Sequence, residues 1–122
     1  MISCLFVALG GAAGASLRYL TGLLPIREPF LFPVKTFAVN IAGCVAIGVI
    51  AALATRSGSL SPKTTLFLKT GVCGGFTTFS TFALETGTLL KSGHSVVAVV
   101  YVILSVVAGV LAVLGTQALL SE

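Results

Sequence analysis

The chain is short of charge. Of its 122 residues 8% are Asp, Glu, Lys or Arg, whereas 57% are hydrophobic. A soluble domain carries about 25% charged residues, so water is excluded as the solvent for most of this surface, and lipid takes its place. Acids are scarcest, three in all, and of these only Glu85 lies within an apolar stretch. The single histidine, His94, sits in a short polar link after Lys91 and reads as an interfacial residue. Cys4, Cys44 and Cys73 fall one to each apolar segment, with no C-x-x-C pair and no histidine beside them. They read as small buried apolar residues. With no cluster of His, Asp, Glu or Cys, neither metal nor nucleophile chemistry has a foothold and an enzyme is not expected. The formal net charge is +4. There is no basic stripe with interleaved aromatics, so nucleic acid is not an expected partner and the excess reads as Lys and Arg at membrane edges.

What is present is long apolar runs. Residues 36–55 and 95–121 carry no charge, 2–26 carry only Arg18, and 62–90 are interrupted by Lys63, Lys69 and Glu85. At ~1.5 Å per helical residue, each run is long enough to cross a hydrocarbon core of roughly 30 Å. The sequence therefore predicts an all-α membrane protein, one domain over 1–122, with four transmembrane helices at about 2–24, 33–55, 62–90 and 95–120. No room is left for a soluble domain. The stretch "AAGA" resembles a signal-peptide cleavage site. No Lys or Arg precedes the apolar run, however, so a retained first helix is expected. Pro25, Pro29 and Pro33 punctuate the first link, and Ser57-Gly58-Ser59 the second. Ser61-Pro62 supplies an N-cap followed by proline at the first helical position.

Threading four helices back and forth places Arg56 and Lys63 on one membrane face, with Lys69 deeper in. The other face receives Arg27, Lys35 and Lys91, with Arg18 able to snorkel there. Orientation follows an asymmetry of Lys and Arg between the faces, and this chain has almost none. Insertion in both orientations, and an antiparallel dimer, are expected. Gly10 and Gly14, Gly71 and Gly75, and Ala108 and Ala112 recur at spacings of four. Such spacings let helix backbones approach closely in lipid.

The stretch "GGFTTFSTF" (74–82) stands out inside the third run. Its glycine pair lies roughly 18 Å from the start of that helix, near the bilayer midplane. Glycine pairs weaken helices, and Ser and Thr compete for backbone hydrogen bonds. The third helix is therefore expected to break near its middle. Unpaired backbone at that depth is tolerated only inside protein or against a watery cavity, and such breaks commonly mark ion sites. The hydroxyls of Thr77, Thr78, Ser80 and Thr81 serve equally well to satisfy freed backbone groups. Phe79 and Phe82 share a face. Their rings pack ordinarily, or turn their positive edges to an anion. Asn40, with Thr36 one turn before it, places a costly amide in the second helix, for an interhelical hydrogen bond or an anion. Tyr101, Ser105 and Gly109 form a narrow strip along the fourth helix. Donors without acids favour an anion over a cation. A small multidrug exporter needs a carboxylate in its first helix, where this chain has Arg18 and no acid. A non-transporting assembly subunit is harder to exclude from the residues alone.

"GGAAGASLRY" (10–19), the Asn of "TFAVN" (36–40) and "CGGFTTFSTFALE" (73–85) resemble the Fluc fluoride channels, also called CrcB. The resemblance spans all four helices, and the third-helix motif is the most specific part. It implies a passive fluoride channel that exports fluoride across the cell membrane as an antiparallel, dual-topology homodimer with two pores. Phe79 and Phe82 are then the pore phenylalanines and Asn40 the pore amide. Ser80, Thr36, Tyr101 and Ser105 line the polar path, and Arg18 belongs to a vestibule or anchors its helix. The backbone carbonyls of Gly74 and Thr77 are implied to hold a central structural sodium ion between the subunits. Gly109 falls where some relatives carry a hydroxyl.

Overall fold

The computed structural model describes residues 1–56 and 58–121. Ser57, in the second link, lies outside the described residues. Everything regular among them is helical: α1 (Ile2–Gly22), α2 (Val34–Thr55), α3 (Pro62–Thr65), a π-helical segment (Leu66–Cys73), α4 (Gly74–Phe76), α5 (Ser80–Lys91) and α6 (Ser95–Leu120). A single 3-10 turn, Pro29–Leu31, lies in the first link. Three of these helices, α1, α2 and α6, are long and apolar enough to cross a membrane.

The boundaries follow local chemistry. Helix α1 stops two residues short of the expected end, where the Leu23 amide turns back to the Leu20 carbonyl and the Leu24 amide to that of Thr21. Helix α3 opens as expected: the Ser61 hydroxyl accepts the Thr64 amide at 3.1 Å, ahead of Pro62. Helix α5 is closed by Gly93, two residues past its end, whose φ of +83° only glycine adopts freely. The Gly93 amide donates to the Leu90 carbonyl and the His94 amide to the Leu89 carbonyl, the double bond that closes helices with a left-handed glycine.

Helix α1 lies along the π segment and α4, and α2 lies along α6, which also packs on α5. The α1 seam is made of glycine. A Cβ on Gly10 would collide with the Phe67 backbone oxygen, and one on Gly14 with that of Val72. From the other side, a Cβ on Gly75 would lie 2.5 Å from the Gly11 carbonyl oxygen. Both glycine pairs thus serve the same contact. Helix α6 approaches α2 differently. The close positions are Gly109 against the Cys44 sulfur and Thr116 against Gly48, whereas Ala108 and Ala112 are only half-buried.

A tightly packed apolar cluster sits where α5 meets α6: Leu89, Ala98 and the wholly buried Tyr101, with Phe32, Phe37 and Phe82 against it. Phe32 meets Phe37 and Tyr101 edge-on, with centroids 5.5 and 5.3 Å apart, and Phe82 meets Tyr101 at 5.0 Å. Edge-to-face pairs of this kind add about 0.5–1.5 kcal/mol beyond burial. Most other apolar side chains face outward, as lipid allows.

Candidate functional site

The candidate site is built at the end of α4. The glycine pair does not itself interrupt the chain: Gly74 and Gly75 are helical, and regular structure stops after Phe76. Thr77 takes an extended conformation (φ −82°, ψ 159°), and helix resumes at Ser80. The reason is a long-range bond. The Thr78 amide, which helical geometry would send to the Gly74 carbonyl, donates to Asn40 Oδ1 at 2.9 Å. Asn40 Nδ2 in turn donates to the Thr78 carbonyl at 3.0 Å. The side chain of α2 thus replaces one turn of helix.

The neighbouring backbone groups are rearranged by the same exchange. The Thr81 amide donates to the Thr78 hydroxyl at 3.1 Å, capping α5 and leaving the Thr77 carbonyl without its helical partner. Arg18 reaches across from α1, and its Nε donates to the Gly75 carbonyl at 3.2 Å. A cation at the C-terminal end of a helix is also favoured by the helix dipole. Thr77 bonds back to the Cys73 carbonyl through its hydroxyl at 2.8 Å. Gly74 and Thr77 are therefore left with carbonyls freed of their helical acceptor duty. Carbonyl oxygens are the ligands hard cations take, so the residues fit the sodium site the resemblance implies.

A cavity of about 620 Å³ opens beside this interruption. Asn40, Gly74, Thr77, Phe79, Phe82 and Ser105 all line it. The rings of Phe79 and Phe82 are 5.8 Å apart and tilted by 51°. Phe79 is 79% exposed, whereas Phe82 is half-buried and keeps its contact with Tyr101. The Ser105 hydroxyl is buried and has no hydrogen-bond partner among the described residues. Because a buried hydroxyl left unpaired is costly, this one is available to a guest. Asn40 has two amide hydrogens, and the Thr78 carbonyl takes one.

A second, smaller recess of about 170 Å³ is lined by Arg18, Lys35, Thr36, Thr78 and Thr81 among others. Thr36 leads to a residue the sequence reading left without a role. Glu85 accepts the Thr36 hydroxyl on Oε2 and the Tyr101 hydroxyl on Oε1, both at 2.9 Å. Its signal was its isolation: a lone acid inside an apolar run must find partners. Tyr101 is wholly buried and lines neither cavity. Ser80 is exposed at the start of α5 and also stands outside both.

Fold and site together define a small all-helical membrane protein whose few polar groups gather on cavities where a helix is interrupted. The chain belongs to the CrcB-like family: the family model described as "CrcB-like protein, Camphor Resistance (CrcB)" matches residues 5–116. Relatives named fluoride-specific ion channel FluC are similar over most of its length. That of Chlorobaculum tepidum is 46% identical over 122 residues, all of this chain and 96% of the relative. That of Hyphomonas neptunium is 51% identical over 108 residues, 87% of this chain and 85% of the relative. That of Methylobacillus flagellatus is 45% identical over 111 residues, 89% and 87% of the two chains.

Proposed function

We propose that the protein is a passive, fluoride-selective channel of the cell membrane, not an enzyme, acting as an antiparallel homodimer of dual topology. The observation that carries this reading is the convergence of Asn40, Phe79, Phe82 and Ser105 on one cavity, in a chain whose relatives are named fluoride-specific ion channels. In this reading the chain is a single domain, and residues 62–91 cross the membrane as one broken span.

Fluoride is small and holds its water tightly. Moving even a carboxylate-sized ion from water into a medium of low dielectric costs of order 20 kcal/mol. A conducting pore must replace that water stepwise, with sites weak enough to release the ion. The chain offers neutral donors for this: the second Asn40 amide hydrogen, the Ser105 hydroxyl, and the positive edges of Phe79 and Phe82. Thr36 extends the polar path along the smaller recess; Tyr101 and Ser80 stand outside both cavities, and Tyr101 acts by holding, with Thr36, the Glu85 carboxylate. Arg18 belongs to the anion vestibule in this scheme, and its bond to Gly75 supports an anchoring role as well.

A second copy of the chain supplies the missing wall. The exposure of Phe79 and the open cavity support this, as does the near-balance of Lys and Arg between the faces. The Gly74 and Thr77 carbonyls, with those of the partner, would hold a sodium ion. Such an ion would supply positive charge to carbonyls left without a donor.

The test is fluoride efflux from liposomes containing the purified protein, with chloride as the paired control. Rapid fluoride loss without chloride loss is expected. Loss of both ions, or of neither from a verified dimer, refutes the proposal and leaves an unselective pore or an assembly subunit.

A further inference from the structure

The larger cavity has one formally charged residue in its wall, Lys69. It lies in the π-helical segment, exposed, eight residues beyond the Ser61 cap and five before Gly74. Its ammonium has no hydrogen bond, ion pair or ring contact among the described residues. The other cations of this region are engaged: Arg18 Nε bonds the Gly75 carbonyl, Lys35 bonds the Gly22 carbonyl at 3.0 Å, and Lys63 lies 5.9 Å from the Phe6 ring centroid.

A lysine at the level of the hydrocarbon is costly unless water or a partner reaches it. Side chains on a helix lean toward its N-terminus, which carries the Lys69 ammonium toward the Ser61 end of the cavity. Lys69 is exposed where it lines the cavity, so water can reach it there. Thr70, Cys73, Gly74 and Thr77 line the wall from that point to Asn40 and the phenylalanines. A single cation in a cleft with low-dielectric walls focuses its field along the cleft and raises the local concentration of anions.

We infer that Lys69 is an anion-gathering residue that sets how fast small anions reach the cavity from the Ser61 side. This rests on the channel reading, since gathering matters only if anions pass. Lys69 takes no part in choosing fluoride over chloride; it acts on arrival, through charge.

The experiment compares fluoride flux of the wild type, Lys69→Gln, Lys69→Glu and Lys69→Arg in liposomes, at ionic strengths set with an impermeant salt. The Debye length is about 30 Å at 0.01 M and about 3 Å at 1 M, so the effect must fade across that range. At about 0.01 M, Lys69→Gln is expected to lower flux roughly tenfold and Lys69→Glu further, with Lys69→Arg near wild type. At about 1 M the four should converge. Equal flux at low salt would place Lys69 against lipid and overturn the inference. So would a loss of the same size at every ionic strength, or a failure of arginine to restore flux, since either marks a packing role. Absence of flux from the wild type would instead sink the channel reading itself.

Discussion

Asn40 holds Thr78 from both sides, donating to its carbonyl at 3.0 Å and accepting its amide at 2.9 Å. One side chain on α2 thus does for Thr78 what a turn of helix would otherwise do. It also explains why the helix stops where it does. In Asn40→Ala the Thr78 amide and carbonyl lose their partner, and unpaired buried groups cost about 1–3 kcal/mol each. The amide can then return to Gly74 and the helix can close through Thr77. We expect fluoride flux to vanish and stability in detergent to fall by about 1–3 kcal/mol, read from flux assays and denaturant unfolding. An alanine variant with full flux would show that the amide is dispensable to the path.

The two phenylalanines differ in setting, and their substitutions should differ too. Phe79 is mostly exposed and touches chiefly Phe82, whereas Phe82 also meets the buried Tyr101. Both Phe79→Ile and Phe82→Ile remove an aromatic edge from the cavity, so both should abolish fluoride flux while a folded dimer remains. Only Phe82→Ile gives up the contact with Tyr101, worth about 0.5–1.5 kcal/mol, and only it should unfold measurably sooner. Undiminished flux in both variants would refute the pore assignment.

Glu85 links α2, α5 and α6 through Thr36 and Tyr101. Tyr101→Phe leaves one Glu85 oxygen without its donor inside protein, a loss of about 1–3 kcal/mol. Glu85→Gln presents an amide to one of the two hydroxyls and disturbs the same network. Groups acting as a unit show coupling energies of about 0.5–3 kcal/mol in a double-mutant cycle. We expect the Glu85→Gln, Tyr101→Phe pair to cost less than the sum of its parts by an amount in that range. Strict additivity in the unfolding data would mean the three residues do not work together.

The contrast between Asn40 and Ser61 shows what the sequence could and could not disclose. The Ser61 cap is a local device: its hydroxyl meets an amide three residues on, and the Ser-Pro pair announces it. Long charge-poor runs likewise announced α1, α2 and α6, because lipid tolerates little else at that length. The glycine pair pointed to an interruption, yet Gly74 and Gly75 remain helical. The stopping point is set by Asn40, distant in sequence, and no local propensity records it. The partners of Glu85 are of the same long-range kind. The small-residue spacings were legible as close contacts for α1 and the π segment. In α6 the close approaches to α2 are made at Gly109 and Thr116, with Ala108 and Ala112 half-buried.

The near-equal charge of the two faces carries the last prediction. Reporters at either terminus should show both orientations in one membrane, in comparable amounts. Arg27 and Lys91 lie in the first and third links, on the opposite face from Lys63. Replacing both by Gln leaves the Lys63 side richer in Lys and Arg, and that side should then face the cytoplasm. A population fixed in one orientation cannot form an antiparallel pair, so the double variant should lose flux although each chain still folds. Co-expression with a Lys63→Gln variant, biased the other way, should restore flux from two chains that are weak alone. Full activity from a chain shown to insert in a single orientation would contradict the antiparallel dimer and require a parallel one.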